Sequence, residues 1–230
     1  MVMRIKPEEH ASIAAAIAAA EAKTSGEIFC VLARQVSSYR DISMVWAAAA
    51  AMILPLGFIP LGFDAHWFPG FGDTWEAGQL AARDVIIGRT IGVYAVVQAA
   101  VFVFAYMILR IPPVTRLFTP RSIRRDRTRQ AAMHQFLAHG LHVTQDRTGV
   151  LIFAALSDRQ VEVIADEGIY SRVDPDIWAE AVTALTAGLK ARRPAEGFER
   201  AIGLAGRVLA EHFPPRPRNP DEVPNRIVEI

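Results

Sequence analysis

Two long apolar stretches in the middle of the chain constrain its fold most. Met44–Phe63 is a run of twenty residues without a charge, and Val85–Leu109 is a run of twenty-five with one charge, Arg89. About twenty apolar residues can cross a hydrocarbon core as a helix, and lipid offers the backbone no other hydrogen bonds. The sequence therefore predicts a transmembrane helical hairpin over residues 44–111. The alternative, two buried core helices, fits less well because such helices normally carry a polar stripe.

The charges beside these stretches predict the orientation of the hairpin. The link Asp64–Asp84 holds four acids and one base, together with aromatic residues suited to the headgroup level. Seven arginines and one acid, Asp126, occupy residues 110–129. Since Lys and Arg accumulate on the cytoplasmic side, we expect both termini in the cytoplasm and the link outside a bacterial inner membrane. Arg89 is expected to reach the outer interface from the start of its span.

A basic cluster after the second span is expected to face lipid. Its members are Arg116, Arg121, Arg124, Arg125, Arg127 and Arg129. Attraction to anionic lipid explains such a cluster, and binding of RNA or a substrate phosphate is the alternative that needs more assumptions. The net charge of the chain is only +1, so no general attraction to nucleic acid is expected. The predicted partners are the lipid bilayer and other membrane proteins.

The segments outside the hairpin predict one α/β domain assembled from two parts. Residues 1–43 read as an alanine-rich helix followed by a buried strand, Glu27–Val36. This first part is too short to build a core alone. Its strand is therefore expected to join strands of the second part, residues 112–213, in a small sheet of three to four strands flanked by helices on both faces.

The second part of the domain contains two strand patterns and three helix patterns, the first of which predicts a long amphipathic helix over Arg121–His142. Arg147–Leu156 is almost wholly apolar, and Gln160–Asp166 alternates apolar and polar residues after a tight turn. We expect an antiparallel pair beside Ile28–Leu32. Residues 214–230 form a proline-rich tail, which we expect to be extended and to end in a short edge strand at Ile227–Ile230.

The order of these elements resembles the TPM domain family. The resemblance rests on Glu21–Ile28 (EAKTSGEI), on Thr148–Phe153 (TGVLIF), and on Val161–Gly168 followed by Asp174. It implies a small sheet flanked by helices. Some members of the family are acid phosphatases or bind a divalent cation, whereas others are assembly, repair or regulatory factors. The family turn G-x-G-L-E-G corresponds here to Asp166–Ser171 (DEGIYS), which lacks two of its glycines and has Tyr170 in place of its glutamate.

Four acids near this turn form the candidate metal site: Asp166, Glu167, Asp174 and Asp176. Oxygen-rich loops of this kind suit Ca²⁺ or Mg²⁺. A structural explanation competes with this one, because Asp174 before Pro175 is a good helix cap and Asp176 a favourable first-turn charge. Glu27, at the start of the neighbouring strand, is a further acid that could approach this cluster.

Other reactive residues carry little functional signal. The single cysteine, Cys30, excludes an intrachain disulfide and reads as a packing residue. His134, His139 and His142 have no acid at metal-binding spacing, which favours surface histidines over a metal site. Since no nucleophile–base motif is present, the sequence favours a non-enzymatic interaction, assembly or regulatory module. The alternative is a divalent-cation-dependent phosphohydrolase at the membrane face.

Overall fold

The computed structural model describes residues 5–58, 81–217 and 219–230, without the side chains of Phe58, residues 81–90 and Pro175. The chain divides into two compact units: Met1–Ser38 with Arg121–Ile230, and Tyr39–Pro120. We call them the α/β unit and the hairpin unit. Most of the predicted external link, and the side chain of Arg89, lie outside what is described.

The helices and strands follow the predicted order along the chain. They are α1 (Pro7–Glu21), β1 (Glu27–Ala33), α2 (Arg40–Phe58), α3 (Ala81–Leu109), α4 (Pro112–Phe118), α5 (Arg121–Ala138), β2 (Gly149–Ala155), β3 (Gln160–Ala165), α6 (Glu167–Tyr170), α7 (Ala179–Lys190), α8 (Pro194–His212) and β4 (Ile227–Glu229). Short 3₁₀ turns at Leu141–Val143 and Pro175–Trp178 precede β2 and α7.

The α/β unit is built on a four-stranded mixed sheet with the order β3-β2-β1-β4. β1 pairs in parallel with β2, from Glu27 opposite Gly149 to Ala33 opposite Ala155. β3 is antiparallel to β2, and β4 runs parallel to β1 at the edge. The structure thereby confirms the expected α/β fold, in which a strand that precedes the hairpin pairs with strands that follow it.

Alternating side chains of β1 and β2 bury both faces of this sheet. Ile28, Cys30 and Leu32 pack with residues of α1, α7 and α8 in one core. Phe29 and Val31 point to the other face, where they pack with residues of α5 in a second core. Strands buried on both faces are expected to be continuously apolar, which explains the pattern of β1.

The hairpin unit consists of α2, α3 and the short α4. Both long helices contain a segment that is long and apolar enough to cross a membrane, Arg40–Gly57 and Ile91–Leu109. The first helix begins four residues before the apolar run that predicted it. The second helix ends at Leu109, and α4 starts at Pro112, because proline is well suited to the first turn of a helix and poorly suited to its interior.

Candidate functional site

Three carboxylates from distant parts of the chain meet at one end of β1. They belong to Glu21, Glu27 and Asp221, and their closest oxygens lie within 4.8 Å of one another. Glu21 is 8% exposed and Glu27 is 2% exposed, whereas Asp221 is open to solvent. We call this group the carboxylate triad. Among the described residues, it is the group of acids, histidines and cysteines that is close enough to hold a single metal ion.

Backbone hydrogen bonds fix the two buried carboxylates. Glu21 is the last residue of α1, and its Oε1 accepts from the N–H of Ile28 at 2.7 Å. Glu27 is the first residue of β1, and its Oε2 accepts from the N–H of Val223 at 3.3 Å. The triad therefore connects the end of α1, the start of β1 and the C-terminal segment that leads into β4.

Crowding and burial disfavour the charged form of both glutamates. Burial raises the pKa of Glu21 to about 8, and repulsion by Glu27 and Asp221 raises it further. The hydrogen bond from the Ile28 N–H lowers this pKa and only partly offsets the increase. Burial likewise raises the pKa of Glu27 to about 7, opposed by the backbone N–H groups of Glu222 and Val223. Near neutral pH, the pair is therefore stabilised by a proton or by a cation.

The chemistry of the triad suits a hard divalent cation. Carboxylate and amide oxygens are the usual ligands of Ca²⁺ and Mg²⁺. The Asn225 side chain lies beside Glu21, to which it is hydrogen-bonded. Its Oδ1 atom is buried and has no hydrogen-bond partner among the described residues. Glu21, Glu27 and Asp221 are thus suited to supply three oxygen ligands, and the Asn225 amide lies next to Glu21.

A separate pocket of ≈ 350 Å³ in the α/β unit is lined by Ser25, Arg172, His212 and Arg216, among others. Arg216 lies 3.3 Å from a carboxylate oxygen of Asp146 and 3.0 Å from one of Glu222. The Arg172 guanidinium stacks over the Phe213 ring at 5.3 Å. We call this the arginine pocket. Its two guanidinium groups and the hydroxyls of Ser25 and Ser171 are suited to an oxyanion, which would compete with Asp146 and Glu222 for Arg216.

Comparison with known proteins agrees with the fold and the motifs. Residues 115–208 match the sequence model of the TPM domain family. This chain carries a TPM domain. The BA42 protein from the psychrophilic bacterium Bizionia argentinensis has a similar solved structure, with a TM-score of 0.54 and 20% identity over 98% of this chain and 95% of that one. At that identity the likeness concerns the fold alone. No curated protein matches the chain.

The acids predicted at the turn of the TPM domain have structural partners. Asp166 is buried, its Oδ1 accepts from the N–H of Glu167 at 2.8 Å, and its Oδ2 lies 3.1 Å from Nε of Arg147. Asp174 caps the following 3₁₀ turn through the N–H of Asp176 at 2.9 Å, as the sequence indicated. Cation binding by these four acids stays a prediction.

Two other predictions concern the arginines expected to face lipid and the histidines expected at the surface. Arg124 does not face lipid, because it is 8% exposed and its guanidinium donates to the carbonyl of Asp158 at 3.4 Å. Arg121, Arg125 and Arg129 are exposed on α5. His139 is half-buried, and its ring packs at a tilt against the Phe29 ring with a centroid distance of 4.2 Å, so it is more than a solvated surface histidine.

Sequence reasoning missed most of the carboxylate triad. The sequence suggests Glu27 as a neighbour of the acids around Asp174, whereas the structure places it beside Glu21 and Asp221. Glu21 and Asp221 are separated by two hundred positions, and the parallel pairing of β4 with β1 brings them together. One signal was available in the sequence, because Glu21 and Glu27 flank the short turn between a helix and a fully apolar strand.

Proposed function

We propose that the chain is an integral inner-membrane protein whose helical hairpin anchors a TPM domain at the cytoplasmic face. There the domain acts as an interaction, assembly or regulatory module. The proposal combines the TPM domain matched by residues 115–208 with the membrane topology expected from the sequence.

The exposure of the two long helices carries this proposal. Only 22% of the apolar window in α2 and 6% of that in α3 is buried. Val45, Ile53, Val96 and Phe104 are each at least 66% exposed. A core helix would bury such side chains, and a continuous exposed apolar surface of this kind indicates contact with a membrane or a partner. We infer that lipid contacts this surface, because the apolar segments of both helices are about as long as a hydrocarbon core is thick.

A binding role fits the described side chains better than catalysis. The arginine pocket contains two serines and a histidine, but among the described residues no hydrogen bond joins Ser25 or Ser171 to His212, and the Ser171 hydroxyl donates to the Gly168 carbonyl. His212 instead uses Nδ1 to contact the Val208 carbonyl at 3.0 Å. A nucleophile normally lies within hydrogen-bond reach of the base that activates it. Because the carboxylate triad contacts the backbone of the C-terminal segment, it is suited to controlling how that segment docks.

The proposed topology predicts the result of reporter fusions. A reporter enzyme that is active only outside the cytoplasm should be active when inserted at Gly72 and inactive at the C-terminus, because basic residues flank the hairpin on one side only. A fluorescent protein that folds in the cytoplasm provides the matched control at the C-terminus. Activity of the first reporter at the C-terminus, with none at Gly72, would contradict the proposal.

The arginine pocket favours a second candidate function, a divalent-cation-dependent phosphohydrolase. Because a carbonyl only accepts, the contact with Val208 places the proton on Nδ1 of His212 and leaves Nε2 as a base. If this function holds, the detergent-solubilised chain should hydrolyse a phosphomonoester with Mg²⁺ or Ca²⁺, and His212→Gln should abolish turnover. His134→Gln, on the exposed face of α5, is the matched control. Absence of turnover in the wild type would favour the binding module.

A further inference from the structure

An apolar groove of ≈ 1220 Å³ runs along the hairpin unit between α2, α3 and α4. Small residues such as Ala50 form part of its lining, together with larger ones such as Ile53 and Met107. Val114 and Phe118 of α4 bound it at one end. The lining contains no charged residue, so the groove is suited to a hydrocarbon chain.

The length of the groove corresponds to one leaflet. On α2 it extends from Trp46 to Leu54, a rise of about 12 Å at 1.5 Å per residue. That is less than half of a hydrocarbon core of about 30 Å. Trp46 lies at the α4 end, where its indole N–H donates to the Phe118 carbonyl at 3.0 Å and its ring meets the Phe118 ring edge-on at 5.7 Å. Tryptophan favours the headgroup level, which places this end at a membrane surface.

Positive charge gathers at the same end of the hairpin unit. Arg40 and Asp41 begin α2, and Arg110 and Arg116 follow the end of α3. Arg110 directly follows Leu109, a lining residue, and its guanidinium lies 5.8 Å from the Tyr106 ring centroid. Three bases against one acid favour a negatively charged headgroup, and anionic lipids attract basic residues at the cytoplasmic leaflet.

We propose that this groove binds one anionic phospholipid of the inner leaflet. An acyl chain occupies the groove, and the phosphate lies at the arginine end. The inference rests on the proposed membrane insertion. A second transmembrane helix fits the groove less well, because it would have to continue past the headgroup end, where α4 bounds the groove. A lipid acyl chain does not have to continue there, because it is joined to its headgroup at that end.

The first test is native mass spectrometry of the full chain in detergent, with an equal mixture of phosphatidylglycerol and phosphatidylcholine. One retained phosphatidylglycerol per chain is expected, with about a tenfold preference over phosphatidylcholine. Equal retention of the two lipids, or retention of neither, would overturn the proposal. No substitution is involved, so the outcome does not depend on how a variant folds.

Matched variants then locate the lipid. Ala50→Phe fills the groove and should weaken lipid retention about tenfold. Val96→Phe adds a similar ring on an exposed position of α3 that does not line the groove, and it should retain lipid as the wild type does. Arg110→Gln combined with Arg116→Gln should remove the preference for phosphatidylglycerol while retaining a lipid. Undiminished retention in Ala50→Phe would overturn the proposed location.

Two further outcomes separate the lipid from its alternatives. A doubled mass that Ala50→Phe converts to a single chain would identify a second copy as the occupant and overturn the lipid proposal. An alkaline carbonate wash of the same membranes tests the proposed function separately. Release by carbonate would contradict membrane insertion, whereas a chain that stays in the membrane but shows no lipid preference would refute the lipid site alone.

Discussion

Replacing Glu21 with glutamine is expected to remove a large part of the loss of stability that the wild type shows between about pH 5 and about pH 8, and the remainder belongs to Glu27, whose pKa is also raised. The pKa of Glu21 is raised from 4.5 to about 8 in the folded chain. The folded state therefore holds a proton that the unfolded state releases. The contribution of Glu21 to the free energy of unfolding is fully present below its pKa in the unfolded state. It is lost as the pH rises through its pKa in the folded state.

The expected magnitude follows from the size of this shift. Each pKa unit corresponds to about 1.4 kcal/mol, so ionising Glu21 costs roughly 3–5 kcal/mol of unfolding free energy. Glutamine keeps an oxygen for the Ile28 N–H and carries no charge. Denaturant unfolding of the full chain in detergent at several pH values measures the effect, with the exposed Glu8→Gln as control. A pH dependence in Glu21→Gln equal to that of the wild type would contradict the buried triad.

The same experiment distinguishes a proton from a cation as the counter-charge of the triad. A bound ion stabilises the fold by mass action, by roughly 2.7 kcal/mol at a hundredfold excess over its dissociation constant. If the triad holds Ca²⁺ or Mg²⁺, either ion should restore stability to the wild type at about pH 8 and should do so less in Glu27→Gln. If it holds only a proton, neither ion will change the unfolding midpoint of either chain.

Replacing Gly149 with alanine is expected to destabilise the α/β unit by about 3 kcal/mol or more. Gly149 begins β2, and a Cβ atom there would lie 2.3 Å from the Leu141 carbonyl oxygen. The obstacle is backbone, which cannot move aside as a flexible side chain can. This close approach also gives the T-G-V-L motif a physical reason for its glycine.

Gly203→Ala is the matched control for this substitution. Gly203 lies on the exposed face of α8, and a Cβ atom there would meet nothing within 4 Å. Alanine favours a helix over glycine by up to about 1 kcal/mol, so this variant should be slightly more stable than the wild type. Chemical denaturation gives both values, and a Gly149→Ala variant as stable as Gly203→Ala would show that β2 does not pack against Leu141 as described.

Local signals were sufficient to predict most of the fold. Apolar continuity identified β1 and β2, and alternation identified β3, because a strand buried on both faces and a half-buried strand differ in period. Asp174 and Pro175 correctly marked the start of a helical turn. The long amphipathic helix was predicted to His142 but ends at Ala138, because Gly140 adopts a φ of 72°.

The candidate site depended instead on contacts between distant segments. Glu21 and Asp221 meet only because the C-terminal segment adds a fourth strand beside β1. Arg124 resembles its basic neighbours on α5 in sequence, yet its guanidinium donates to the Asp158 carbonyl, whereas Arg125 and Arg129 are exposed. Neither contact can be predicted from local composition. The first depends on where the C-terminal segment pairs with the sheet, and the second depends on which face of α5 packs against it.

The most direct test of the central claim is to replace Tyr39–Pro120 with a short Gly-Ser linker. Ser37 and Arg127 are hydrogen-bonded within the α/β unit, so the ends to be joined are close together. A TPM domain interrupted by a membrane hairpin predicts a soluble chain that unfolds cooperatively and retains the pH dependence of Glu21, while the full chain stays in carbonate-washed membranes. A linked chain that is unfolded or insoluble, or a full chain that carbonate releases, would contradict that architecture.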